Sequence, residues 1–116
     1  MLRENAGRPL RVFIVWEPVI LTDIAPPTSR VLSKLSDARV SQFWDRDRLL
    51  SREIVRTALA DSTHTLHEDY SGEGSIVWDF IAVFPPGARW GPAVPSPDYH
   101  GAPVFRVIDE VRRRLQ

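Results

Sequence analysis

SIVWDFIAVFPPGARW, residues 75–90, decides how the rest of the chain is read. The branched and aromatic run from Ser75 to Phe84 reads as a buried strand. Pro86-Gly87 suits the central positions of a type II turn, so Arg89-Trp90 is expected to pair back as a short hairpin arm. In the middle of this strand stands Asp79, directly after Trp78. An aspartate among Ile76, Val77, Phe80 and Ile81 is costly unless it is paired or near the end of the sheet. The same tryptophan–acid pairing recurs at Trp16-Glu17 and Trp44-Asp45.

The neighbouring segments supply the frame for that strand. RVFIVW (11–16) is a continuous apolar run without alternation, which reads as a central strand covered on both faces. Pro26 and Pro27 suit the first positions of a helix, with Val31, Leu32 and Leu35 as its apolar stripe. ARVSQFWD (38–45) is a second strand. Asp45 is placed to cap the following helix, RDRLLSREIVRTALA (46–60), in which Leu50, Ile54 and Ala58 share one face with Val55 and Leu59 beside them. ADSTHTLHEDYSGEGS (60–75) is polar and glycine-bearing and reads as a surface loop. GPAVPSPDYHGAP (91–103) reads as an extended, proline-rich connection. Pro103 opens a last helix with Val104, Val107, Ile108, Val111 and Leu115 on one stripe. Asp109/Arg113 and Glu110/Arg114 lie at i,i+4 spacing on its other side.

Composition narrows the function classes. The chain has 116 residues, the size of one domain, with 43% hydrophobic residues and four tryptophans, ample for a packed core. Fifteen basic residues balance fifteen acidic ones, which argues against nucleic acid as the main partner, since phosphate binding draws on a basic excess. No apolar run approaches the roughly 20 residues of a membrane span, and no signal peptide is evident, so the expected location is cytoplasmic and no membrane partner is expected. There is no cysteine. The chain therefore offers no thiolate nucleophile, no disulfide and no cysteine-held metal or cluster.

The ordered set RVFIVWEPV (11–19), ARVSQFWDRDRLLS (38–51), SIVWDFIAVFPPGARW (75–90) and GAPVFRVIDEV (101–111) resembles the latter three-quarters of a thioredoxin-like domain of the peroxiredoxin or cytochrome-maturation type. It is similar in particular to a bacterial group of thioredoxin-like proteins, over nearly the whole chain beyond residue 10. The resemblance implies an α/β domain over 1–116, with a mixed sheet of about four strands flanked by about three helices. It also implies a first strand ending in a Cys-x-x-Cys-type motif, which does not precede Val12 here. In that family the strand lies centrally, between those matching 11–17 and 75–84. The gap calls for a rearranged sheet, a swapped segment from another copy, a strand from a partner, or a further piece of chain.

In such a fold Trp16-Glu17, Trp44-Asp45 and Trp78-Asp79 are expected to gather at one pole of the sheet. There they form an aromatic pocket with carboxylate acceptors, and these six residues are the candidate binding site. Each pair also has a plainer reading: Asp45 as a helix cap, Glu17 as a solvated strand end before Pro18, Asp79 with a structural partner or exposed. Asp79 becomes an acid/base candidate only if buried without a cation. His64 and His67 read as a solvated loop rather than a metal site, and His100 as a residue of a second surface loop. No serine elbow or phosphate loop is present. No cofactor or metal is expected.

The leading expectation is a non-redox, thioredoxin-like protein that binds or self-associates, as a homo-oligomer or with a protein or small ligand. Two alternatives stand beside it. One is a truncated relative of thiol oxidoreductases whose cysteine-bearing segment comes from elsewhere. The other is a small acid/base enzyme using Asp79 or His100.

Overall fold

A computed structural model describes residues 2–18, 27–34, 37–72 and 74–116. The proposed helix positions Pro26 and Leu35, and the side chain of Val31, lie outside the described residues. The chain is a mixed α/β protein, with four strands in two small sheets among the described residues. It divides into two compact units, Met1–Leu49 and Leu50–Gln116. Among the described residues no helix is long and apolar enough to cross a membrane.

The first unit is built on β1 (Val12–Trp16) and β2 (Val40–Trp44), joined through the short helix α1 (Ser29–Ser33). The strands are parallel, in a register that sets Val12 beside Val40 and Trp16 beside Trp44. Side chains alternate along each strand, so Val12, Ile14, Trp16, Val40, Gln42 and Trp44 share one face. Gln42 ties this face together: its Oε1 accepts the Trp16 indole N–H at 3.0 Å and its Nε2 donates to the Leu32 carbonyl of α1 at 3.0 Å. The other face carries Phe13 and Phe43, which are 64% and 52% exposed and stack at 6.3 Å between ring centroids. The expectation that 11–16 is covered on both faces is corrected here. Parallel strands are ordinarily sandwiched between layers; this pair leaves Phe13 and Phe43 in solvent.

The second unit packs around α2 (Leu49–Ala60), where the expected stripe is observed. Ile54 and Ala58 are buried with Leu66, Val77 and Val94, and Leu50, Val55, Tyr70, Phe80 and Phe84 surround them. Asp45 performs its expected capping role, its Oδ1 accepting the Leu49 N–H at 2.9 Å and so satisfying a first-turn amide. α3 (His67–Tyr70) follows, then β3 (Ile81–Val83) and β4 (Tyr99–Gly101), which pair antiparallel. α4 (Val104–Arg114) lies on β4. Gly101 permits that approach, because a Cβ there would stand 2.8 Å from Val107 Cγ1. On the outer side of α4, Glu110 pairs with Arg114 at 2.6 Å as expected, while Asp109 takes Arg112 at 3.0 Å rather than Arg113.

Three sequence expectations change. The strand read at 75–84 shrinks to Ile81–Val83. Asp79 has φ 47°, a left-handed conformation that short polar side chains tolerate and that interrupts a ladder. The Val77 carbonyl meanwhile accepts the Ser51 hydroxyl at 3.0 Å, binding this stretch to α2. The Pro-Gly turn forms, with Gly87 at φ 81° and the Ala88 N–H donating to the Pro85 carbonyl at 3.2 Å. Arg89-Trp90 does not return as a strand, however; Trp90 packs on Phe84 at 5.7 Å, and the partner of β3 comes from the proline-rich stretch. The segment 60–75 is no plain surface loop either, because Leu66 in it is fully buried, 1% exposed.

Candidate functional site

The register of the first sheet brings two of the three tryptophan–acid pairs together. Trp16 and Trp44 are partners at the carboxyl ends of β1 and β2, and the Asp45 N–H donates to the Trp16 carbonyl at 2.8 Å. Trp16, Glu17, Trp44 and Asp45 are all half-buried. The third pair belongs to the second unit. Trp78 is 62% exposed, and Asp79 is exposed at the bend before β3. This answers the question posed by the acid in the apolar run: Asp79 is a turn residue, and the burial that an acid/base role required of it is not met.

At the amino-terminal end of the same sheet, a shallow groove of about 270 Å³ is lined by Leu10, Arg11, Phe13, Ala38, Arg39 and Ser41. The two arginines differ. All five donors of Arg39 are engaged. Nε and Nη2 hold the Asp37 carboxylate at 3.0 and 2.7 Å, and Nη2 also meets the Leu2 carbonyl at 3.0 Å. Nη1 reaches the carbonyls of Asn5 at 2.6 Å and Arg8 at 3.4 Å. Arg39 thus clamps the amino-terminal turns to the start of β2, and no sequence pattern announces it. Its guanidinium, with the Arg39 backbone N–H, holds the Asp37 carboxyl at a pKa of about 2 against an ordinary 3.8. Arg11 is exposed, and among the described residues it makes no ion pair or hydrogen bond.

The three histidines are structural or paired rather than solvated. His64 donates from Nε2 to the Val94 carbonyl at 2.8 Å and accepts the Leu66 N–H at Nδ1, 3.1 Å away, which fixes one neutral tautomer. His67 Nδ1 donates to the Ala58 carbonyl at 2.5 Å, satisfying one of the last carbonyls of α2. Among the described residues no group of three metal-ligating side chains comes together. Replacing His64 by alanine strips two backbone groups of their partner, and a loss of about 1–3 kcal/mol is expected in denaturant unfolding. A loss under a few tenths, by contrast, removes His64 as the tie between the 61–66 turn and Val94.

His100 lies on β4 opposite Ala82 instead of in a loop, with only 13% of its side chain exposed. Its Nε2 donates to Asp69 Oδ2 at 2.8 Å. The rings of Tyr70 and Phe80 stand 6.1 and 6.0 Å from the imidazole. Burial, and then the charge of Asp69, push the Tyr70 phenol up. A carboxylate so placed orients the imidazole, a pairing the sequence held in Asp69 and His100, 31 residues apart. Comparison with protein-family models, curated proteins and solved structures returns no match.

Proposed function

We propose that this chain is a non-redox, thioredoxin-like binding protein that acts by self-association, using the first sheet as the docking element. The observation that carries the reading is the state of β1. Among the described residues it has one strand neighbour, β2, and the sheet face that the two share exposes the Phe13–Phe43 stack. An unpaired edge flanked by apolar area is a template for an added strand. Lack of cysteine removes thiol–disulfide exchange from the chemistry of the chain itself, and the proposed use of the fold is recognition.

The test is solution mass by light scattering across a wide concentration range, for the intact chain and for Phe13→Glu, each with a thermal melt. The intact chain is expected to form a dimer that dissociates on dilution. Phe13→Glu is expected to remain folded and to shift strongly toward monomer. A folded chain that stays monomeric at the highest attainable concentration overturns the reading.

A further inference from the structure

Building on the self-association reading, we infer that the segment adding to β1 is Ser75–Trp78 of a second copy, ended by the turn at Asp79 and paired antiparallel with Trp78 beside Phe13 and Ile76 beside Val15. The first reason is that Ser75–Trp78 alternates in burial as a strand does, yet belongs to no sheet among the described residues. Val77 is 5% exposed and turned into its own core, while Ile76 and Trp78 are 53% and 62% exposed. The Val77 carbonyl is taken by Ser51, whereas the backbones of Ile76 and Trp78 make no hydrogen bond among the described residues. In an extended chain successive backbone groups point to opposite sides, so those of Ile76 and Trp78 point away from the side that Ser51 occupies.

The second reason is that β1 presents the complementary row. The Val12 N–H donates to Arg39 and the Trp16 carbonyl accepts from Asp45, so Val12, Ile14 and Trp16 direct their backbone groups to β2. By the same alternation Phe13 and Val15 direct theirs to the open edge. Antiparallel pairing of 78 with 13 and 76 with 15 then joins two such pairs, two residues apart on each strand. It does so without disturbing Val77. The side chains agree with this register, since Ile76 and Trp78 fall on the sheet face that already exposes Phe13 and Phe43, extending one apolar surface.

The third reason is charge. In this register Asp79 falls opposite Val12, one residue from Arg11, which is exposed and without an ion-pair or hydrogen-bond partner among the described residues. Asp79 is likewise exposed, and no ion pair or hydrogen bond engages it among the described residues. Each copy carries both elements, so the proposed assembly is a two-copy exchange in which each gives its 75–78 segment and receives that of the other.

The experiment is a charge swap read by sedimentation equilibrium on the full chain. Arg11→Glu and Asp79→Arg are each expected to weaken dimerisation about tenfold or more, and the double variant is expected to recover to within about threefold of the parent. Arginine is acceptable at position 79 because Arg48 already adopts a comparable backbone, φ 54°. Trp78→Ser, at an exposed position, is expected to weaken the dimer while leaving the melting temperature of the diluted monomer unchanged. A dimer that survives all three single changes with parental affinity overturns this assignment of the segment and leaves self-association standing. Weakening in the single variants without recovery in the double overturns the Arg11–Asp79 pairing and hence this register. A monomeric parent overturns both.

Discussion

Leu66→Ala is expected to lower stability by about 2–5 kcal/mol, the range for emptying a core site that collapses only in part. Leu66 is 1% exposed and belongs to the cluster formed with Ile54, Ala58, Val77 and Val94. It is held there by its neighbours in sequence, with its own N–H bonded to His64 Nδ1 and the ring of His67 bonded to the Ala58 carbonyl. The side chain is therefore poorly placed to be replaced by a shift of the turn. Against a domain stability of about 5–15 kcal/mol, the loss is a large share of the total. Chemical denaturation followed by circular dichroism measures it. Leu59→Ala is the control, because Leu59 sits near the end of α2 at 58% exposure and is expected to change stability by less than about 0.5 kcal/mol. Equal effects at the two positions contradict the placement of the core.

Arg39→Ala is expected to free the amino-terminal turns from the first sheet. The guanidinium is the shared donor for the carbonyls of Leu2, Asn5 and Arg8 and for both oxygens of Asp37. Its removal takes the Arg39 anchor away from the Asn5-to-Leu2 and Arg8-to-Asn5 turn hydrogen bonds. Amide exchange at Asn5 and Arg8 is expected to accelerate at least roughly tenfold, while the amides of α4 are unaffected. Arg39→Lys gives the same outcome, since an ammonium cannot supply five donors in a planar fork. The clamp also has a pH dependence of definite sign. The Asp37 pKa is about 2 in the folded protein and 3.8 ordinarily. Its contribution is accordingly complete above about pH 4 and is lost as the pH falls toward 2. Acid titration followed at the Asn5 and Arg8 amides is expected to show release in that interval. Asp37→Asn should abolish the transition there, and a transition that persists in that variant assigns it to another group.

The parts of the fold that were legible in the sequence are those determined by nearest neighbours along the chain. The stripe Leu50, Ile54, Ala58 forms one face of α2 whatever packs on it, and Asp45 caps that helix because a carboxylate a few residues ahead reaches its first amides. Pro86-Gly87 makes its turn because Pro has the required φ and Gly accepts a positive one. α4 follows from its own periodicity and its Arg-rich end. Of the six residues expected to bind ligand, the sequence placed Trp16, Glu17, Trp44 and Asp45 at strand ends correctly, since each directly terminates an apolar run.

The rest was settled by groups far apart in sequence competing for the same backbone. Residues 75–80 have strand composition, but Ser51, 26 positions away, takes the Val77 carbonyl, and the ladder begins only at Ile81. β3 could choose between Arg89-Trp90 and Tyr99–Gly101, and local turn chemistry favoured the former; the structure pairs it with the latter. Polar composition marked 60–75 as a loop, and nothing local reveals that Leu66 turns inward or that two imidazoles serve carbonyls of Val94 and Ala58. Nor does sequence join His100 to Asp69 or Arg39 to Leu2. By itself, then, the sequence determined α2, α4, the Pro86-Gly87 turn and that the chain offers no thiol chemistry, because those depend on side-chain periodicity and residue identity alone. Only the tertiary structure decided which segments complete a sheet and which remain exposed with their backbones unpaired, because a backbone hydrogen bond is won by whichever partner the packed chain brings within reach.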